Sequence, residues 1–280
     1  MNALLFYTTL GLYLVATIAY LVYLVKPQQV LGRTAYWLIL SGFLVHCTFT
    51  VVRYFEAGHT PITNLHESLS FFSLCIVGVF IAFERRYHAS ILGSFVTPIA
   101  LLLMTASSLY PAAIPLLPPA LKSKWLIVHS TLAFLSYATF AVAFGAAIMY
   151  LIQQHFLKRK RLGPFYQKLP SLDVLDEINY RCLTFGFPLL TVAIITGAIW
   201  AETAWGTYWS WDPKETWSLI TWFIYAALLH GRLTVGWRGR RAAVLSIIGF
   251  FVLLFTFLGV NLLPGESQHT YQRLLGGSDK

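Results

Sequence analysis

Eight apolar runs, near residues 3–25, 34–55, 67–84, 90–109, 125–152, 183–202, 214–231 and 242–263, dictate the kind of molecule this chain can form. Each approaches the roughly 20 mainly apolar residues that one helix needs to cross a bilayer. Inside hydrocarbon every backbone N–H and C=O must be satisfied within the segment, which a helix does. The expected fold is therefore all-α, a polytopic membrane protein of about eight transmembrane helices forming one domain over residues 1–280. Composition agrees: 57% of the residues are hydrophobic and 11% charged, against about 25% charged in a soluble domain. The first run, Met1 to Val25, lacks a basic leader and a small-residue cleavage site, so it is read as a retained helix.

The net charge of +9 raises nucleic acid as a partner, and the distribution of that charge argues against it. With the N-terminus outside, fourteen of the twenty Lys and Arg fall in loops on the inner side, including the run Lys158 to Arg161. That bias is what the positive-inside rule requires, and it places both termini on the outer face. No nucleic-acid partner is expected. Cys47, Cys75 and Cys182 form no CxxC pair and fall in or beside apolar runs, so they read as buried thiols. Between Pro170 and Arg181, Ser171 followed by Leu172, Leu175 and Ile178 predicts a short amphipathic helix at the inner interface. The proline-rich loop Tyr110 to Pro119 predicts an irregular outer cap. No repeat and no phosphate-binding glycine loop is present.

One segment departs from this bland pattern. Trp205-Gly206-Thr207-Tyr208-Trp209-Ser210-Trp211-Asp212-Pro213-Lys214-Glu215-Thr216-Trp217 places four tryptophans and a tyrosine between two apolar runs, on the outer side. Rigid ring faces suit a flat ligand, and an interfacial aromatic belt is the alternative. Asp212, Pro213 and Glu215 also read as an N-cap, a first helical residue and a capping-box partner. Asn64 with Glu67 reads the same way at the start of the third run.

Histidines sharpen the picture. His129 lies just inside the outer end of the fifth run and His269 just beyond the outer end of the eighth, so both converge on the aromatic segment. Neutral imidazole is a good ligand for haem iron. Two imidazoles on opposite faces of a porphyrin, with indoles along it, would make a bis-histidine outer site; a satisfied interface histidine is the alternative for each taken alone. His230 sits at the inner end of the seventh run, about 24 Å deeper than Lys214. It is read as one ligand of an inner haem position whose second ligand comes from another subunit, with His46 a weaker candidate. His59 and His66 could line the outer site and are left off the ligand list; His88 and His155 receive no role. Arg53 and Lys214 are the guesses for propionate partners. No catalytic nucleophile or general base is evident.

The aromatic segment, Trp205-Gly206-x-Tyr208-Trp209-x-Trp211-Asp212-Pro213-Lys214-Glu215-Thr216-Trp217, is similar to the tryptophan-rich WWD motif of haem-handling cytochrome c biogenesis proteins. Gly186-Phe187-Pro188, Gly197-Ala198-Ile199-Trp200-Ala201, Leu229-His230-Gly231-Arg232, Gly259-Val260-Asn261 and Asn64-Leu65-x-Glu67-Ser68 extend the likeness over about residues 40 to 271. The chain resembles the CcsA (ResC) type. That resemblance implies His129 and His269 as the external haem-ligating pair and His230 as the transmembrane ligand on this subunit. It further implies haem b as bound substrate, moved outward and presented to the CxxCH cysteines of apocytochrome c. The implied partners are a CcsB-type membrane subunit and a thiol-reducing protein, in a bacterial inner or a thylakoid membrane. The runner-up is a CcmC-type protein that loads a haem chaperone, against which eight spans rather than six argue. A respiratory di-haem cytochrome and a substrate transporter are the readings from other classes.

Overall fold

The computed structural model describes residues 2–114, 117, 119–160 and 163–260. Among these the regular structure is entirely helical: α1 (Asn2–Val25), α2 (Gln29–Ala57), α3 (Leu65–Tyr87), α4 (Gly93–Ser108), α5 (Lys124–Lys158), α6 (Pro164–Lys168), α7 (Leu172–Trp205), α8 (Pro213–Thr234) and α9 (Arg240–Leu254). Short 3-10 turns precede α4 and α5, and a π-helical turn, Phe255–Gly259, continues α9. Seven of these elements, α9 with its π-turn included, are long and apolar enough to cross a membrane, so the chain is an integral membrane protein. The seventh of the expected runs, 214–231, forms α8, 22 residues long and thus about 33 Å, which is not among those seven. Its indoles, hydroxyls and terminal charges leave it less apolar than the other seven.

The short interfacial helix expected over 170–181 does not exist as a separate element. Residues 172–181 are the first three turns of α7, which runs unbroken for 34 residues. Leu175, Ile178 and Cys182 are all buried, so the apolar stripe passes through the charged stretch without changing period. Ser171 does cap it, accepting from Val174 N at 3.3 Å.

Helices α5 and α7 form the central antiparallel pair. Three contacts fix their register: His129 with Ala193, Ser136 Oγ donating to Gly186 O at 2.8 Å, and Asn179 Nδ2 donating to Ala143 O at 3.2 Å. Buried Phe140 stacks on Tyr225 of α8, and α9 closes against both helices. Helices α1 to α4 form a second layer with polar contacts between helices. Tyr20 donates to Glu84 at 2.6 Å, and Ser73 donates to Ala100 O at 2.8 Å.

The ends of the bundle differ. One end gathers the basic residues: Arg232 pairs with Asp176, whose Oδ1 also accepts from Gly239 N at 2.9 Å, tying α7, α8 and α9 together. The opposite end holds the start of α5 and the turn between α7 and α8, and therefore the aromatic segment.

Candidate functional site

At the aromatic end a cleft of about 880 Å³ opens between α5, α7, α8 and the π-turn. Of the residues singled out from sequence, His129, Tyr208, Trp209, Lys214 and Glu215 line it. Ser123, at the N-cap of α5, accepts from Trp125 N and starts the helix so that His129 falls in its second turn.

His129 is held from two sides. Its Nδ1 lies 2.7 Å from the carbonyl oxygen of Ala193. A carbonyl only accepts, so Nδ1 carries the proton and the ring lone pair resides on Nε2. That arrangement orients most metal-binding imidazoles. The ring lies nearly parallel to Trp200, with centroids 6.3 Å apart and 13° between planes, and Trp200 meets Trp205 edge-on at 4.9 Å. Gly197 makes room for this: a Cβ there would fall 2.7 Å from the imidazole Cε1 and Nδ1. Trp200 entered the sequence reading only within the family likeness at Gly197–Ala201; its place beside His129 comes from the α5–α7 register.

The aromatic loop is built by caps at both ends. Gly206 ends α7 in the left-handed conformation, φ 80°, and its N–H donates to Glu202 O at 2.9 Å. Asp212 starts α8 with Pro213 in the first turn, and the expected capping box is formed. Glu215 Oε2 accepts from Asp212 N at 3.2 Å and also from Ser210 N at 2.8 Å. Both donors converge because Trp211 adopts a positive φ of 59°, uncommon for a bulky residue. The indole of Trp211 is consequently turned outward, 69% exposed and edge-on to Trp209. Trp217 packs on Phe255, the first residue of the π-turn, and its carbonyl accepts from Thr256 at 3.2 Å. Asp212, Pro213, Gly206 and Trp217 therefore shape the loop, while Tyr208, Trp209 and His129 face the cleft.

The other predicted residues fall elsewhere. His230 is exposed on α8, about 25 Å along the helix from Pro213. His269 lies outside the described residues. His46 is fully buried, with Nδ1 3.1 Å from Tyr13 OH and Nε2 2.9 Å from Ser70 Oγ; both ring nitrogens are engaged, so the weaker inner-ligand candidate has a structural role. His66 contacts Ser107 O at 2.9 Å. Arg53 is not exposed for a propionate. It lies in a buried ion pair with Glu67, side chains 5% and 1% exposed, at 2.9 Å. Asn64 does cap α3, accepting from Glu67 N at 2.8 Å. The expected reciprocal half is absent, because the Glu67 carboxylate is taken by Arg53 and by Thr63 N and Oγ1.

The model of the cytochrome c assembly protein family matches residues 62–266. A cytochrome c biogenesis protein CcsA from Guillardia theta is 41% identical, with 82% of this chain and 84% of the relative aligned. Its counterpart from Synechocystis sp. is 36% identical over 92% and 93% of the two chains. Among solved structures, the cytochrome c haem lyase CcmF superposes with a TM-score of 0.67 at 17% identity, covering 99% of this chain and 49% of the lyase, so the shared feature is the fold. By the family match and by the extent of its likeness to these relatives, this chain belongs to the cytochrome c assembly protein family, in its CcsA-type branch.

Proposed function

We propose that the chain holds haem as substrate at its aromatic end and presents it for covalent attachment to apocytochrome c. The observation carrying this reading is the Nδ1 hydrogen bond of His129 to Ala193 O, which puts the ring lone pair on Nε2 in an imidazole lining an aromatic cleft. The donor set suits haem: one tautomerically fixed imidazole, ring faces from Tyr208 and Trp209, and an apolar wall from Leu190, Ile194 and Phe257. His269 would supply the opposing axial imidazole. Lys214, which lines the cleft, would meet a propionate.

In this reading the residues act by placement. Ala193 holds the His129 proton on Nδ1 and so fixes the tautomer and the ring orientation. The Glu215 cap holds Ser210 and Asp212, and through them the ring faces that fix the in-plane orientation of the macrocycle. Trp211, turned outward, offers an apolar landing for the CxxCH segment. Haem contributes the iron and the vinyl groups that the cysteine thiols add across. Bringing thiol and vinyl together converts an encounter into an intramolecular step, worth at most about 7–11 kcal/mol.

His230, on the exposed face of α8 at the basic end, would be one ligand of an inner haem position completed by a CcsB-type subunit. The basic end would then face the cytoplasm or stroma, and haem b would pass from His230 towards His129. A thiol-reducing protein would keep the apocytochrome cysteines competent. Co-expression with the partner subunit tests the assignment. His129→Ala should insert at wild-type levels and yield no holocytochrome c; undiminished covalent attachment would overturn it.

A further inference from the structure

Two adjoining cavities lie at the basic end, in the layer remote from the aromatic cleft. Between the end of α1, the start of α2 and the end of α3 is a cavity of about 900 Å³, lined by Tyr23, Arg33, Tyr36, Trp37, Arg85 and His88 among others. On the other flank of Arg33 and Trp37 a second cavity, of about 720 Å³, follows α2 past Leu38 to Ser41. The two meet at the same pair of side chains. From Val30 to Ser41 that surface extends about 16 Å along the helix axis.

The chemistry changes along this path. At the basic end stand two guanidinium groups, Arg33 and Arg85, both exposed, with His88 beside them at the left-handed cap of α3, φ 51°. The acidic residue on the floor, Glu84, is buried and already accepts from Tyr20 OH at 2.6 Å, so the mouth stays net positive. Farther along come the 62% exposed indole of Trp37 and the side chain of Leu38. A charged mouth, an interfacial indole and an apolar groove running into the membrane match an anionic headgroup, a glycerol level and an acyl chain in that order. Guanidinium groups suit phosphate oxygens through paired hydrogen bonds.

We infer that the α1–α2–α3 corner at the basic end is a binding site for one anionic phospholipid, its phosphate between Arg33 and Arg85 and one acyl chain along Trp37 and Leu38. This site is separate from the haem reading and stands or falls without it. A bound lipid would brace the α1–α2 hairpin, which buries little of its surface against the rest of the bundle.

The test is native mass spectrometry of the full chain in neutral detergent, titrated with phosphatidylglycerol and with phosphatidylcholine of the same chains. One phosphatidylglycerol should be retained in preference to phosphatidylcholine. R33Q/R85Q should weaken that retention by about tenfold. Arg86→Gln should leave it unchanged, because Arg86 lies over the Tyr87 ring and lines neither cavity. The single variants Arg33→Gln and Arg85→Gln, at exposed positions, keep the test open should the double variant fold poorly. Equal retention of the two lipids, or phosphatidylglycerol retention untouched by the arginine changes, would overturn the assignment.

Discussion

The α-carbon of Gly197 faces the imidazole of His129 so closely that a single added methyl group would lie 2.7 Å from its Cε1 and Nδ1. The carbonyl oxygen of Ala193, one turn earlier on α7, accepts a hydrogen bond from Nδ1–H. One helix thus supplies both the anchor of the imidazole and the space for it. Gly197→Ala should displace the ring and lower haem occupancy of the outer site by about tenfold, the effect of a small overpacking strain on ligand geometry. The Soret absorbance per protein reads this directly, and unchanged occupancy would show that the ring is not fixed by α7.

Glu215 joins the aromatic loop to α8 through one carboxylate oxygen. Glu215→Ala leaves the N–H groups of Ser210 and Asp212 without that acceptor and should cost about 1–3 kcal/mol. Glu215→Gln keeps an acceptor oxygen and should cost less than half as much. Thermal unfolding in detergent, followed by tryptophan fluorescence, separates the two; equal losses would mean that the carboxylate charge, not the cap, is what matters.

Arg53 and Glu67 should behave as a buried pair. Glu67→Ala strands a guanidinium in a site 5% exposed and should destabilise by about 3–5 kcal/mol. The double change R53M/E67L removes both charges and should cost clearly less. A double change as harmful as the single one would place the energy in the Thr63 contacts instead.

His46 and His230 should separate cleanly. His46→Phe removes the hydrogen bonds to Tyr13 and Ser70 and should lower stability by about 1–3 kcal/mol while leaving the haem spectrum unchanged. His230→Ala, at an exposed position, should do the reverse. A spectral change in His46→Phe, in protein that remains folded, would return His46 to the ligand list.

Much of this arrangement can be read in the chain before any coordinates, because membrane helices announce themselves by long apolar runs and helix starts by short polar signals. Asp212-Pro213-Lys214-Glu215 encodes its own capping box within four residues. Asn64 likewise marks the start of α3. What escapes is any relation set by tertiary register. Arg53 and Glu67 are neighbours only because α2 and α3 pack, and Asp176 meets Arg232 across 56 residues. The interfacial helix expected before the sixth span merges into α7 because charged residues interrupt composition but not the stripe of Leu175, Ile178 and Cys182. Trp200 owes its place beside His129 to the same α5–α7 packing, and the π-turn at Phe255–Gly259 has no sequence signature.

The proposed role of His129 as an axial ligand is tested most directly by chemical rescue of the haem spectrum. In a His230→Ala background, so that only the outer position contributes, purified protein should show the low-spin Soret band of a bis-imidazole haem. His129→Gly should lose that band and regain it on adding free imidazole. A low-spin spectrum that survives His129→Gly without added imidazole would contradict the account.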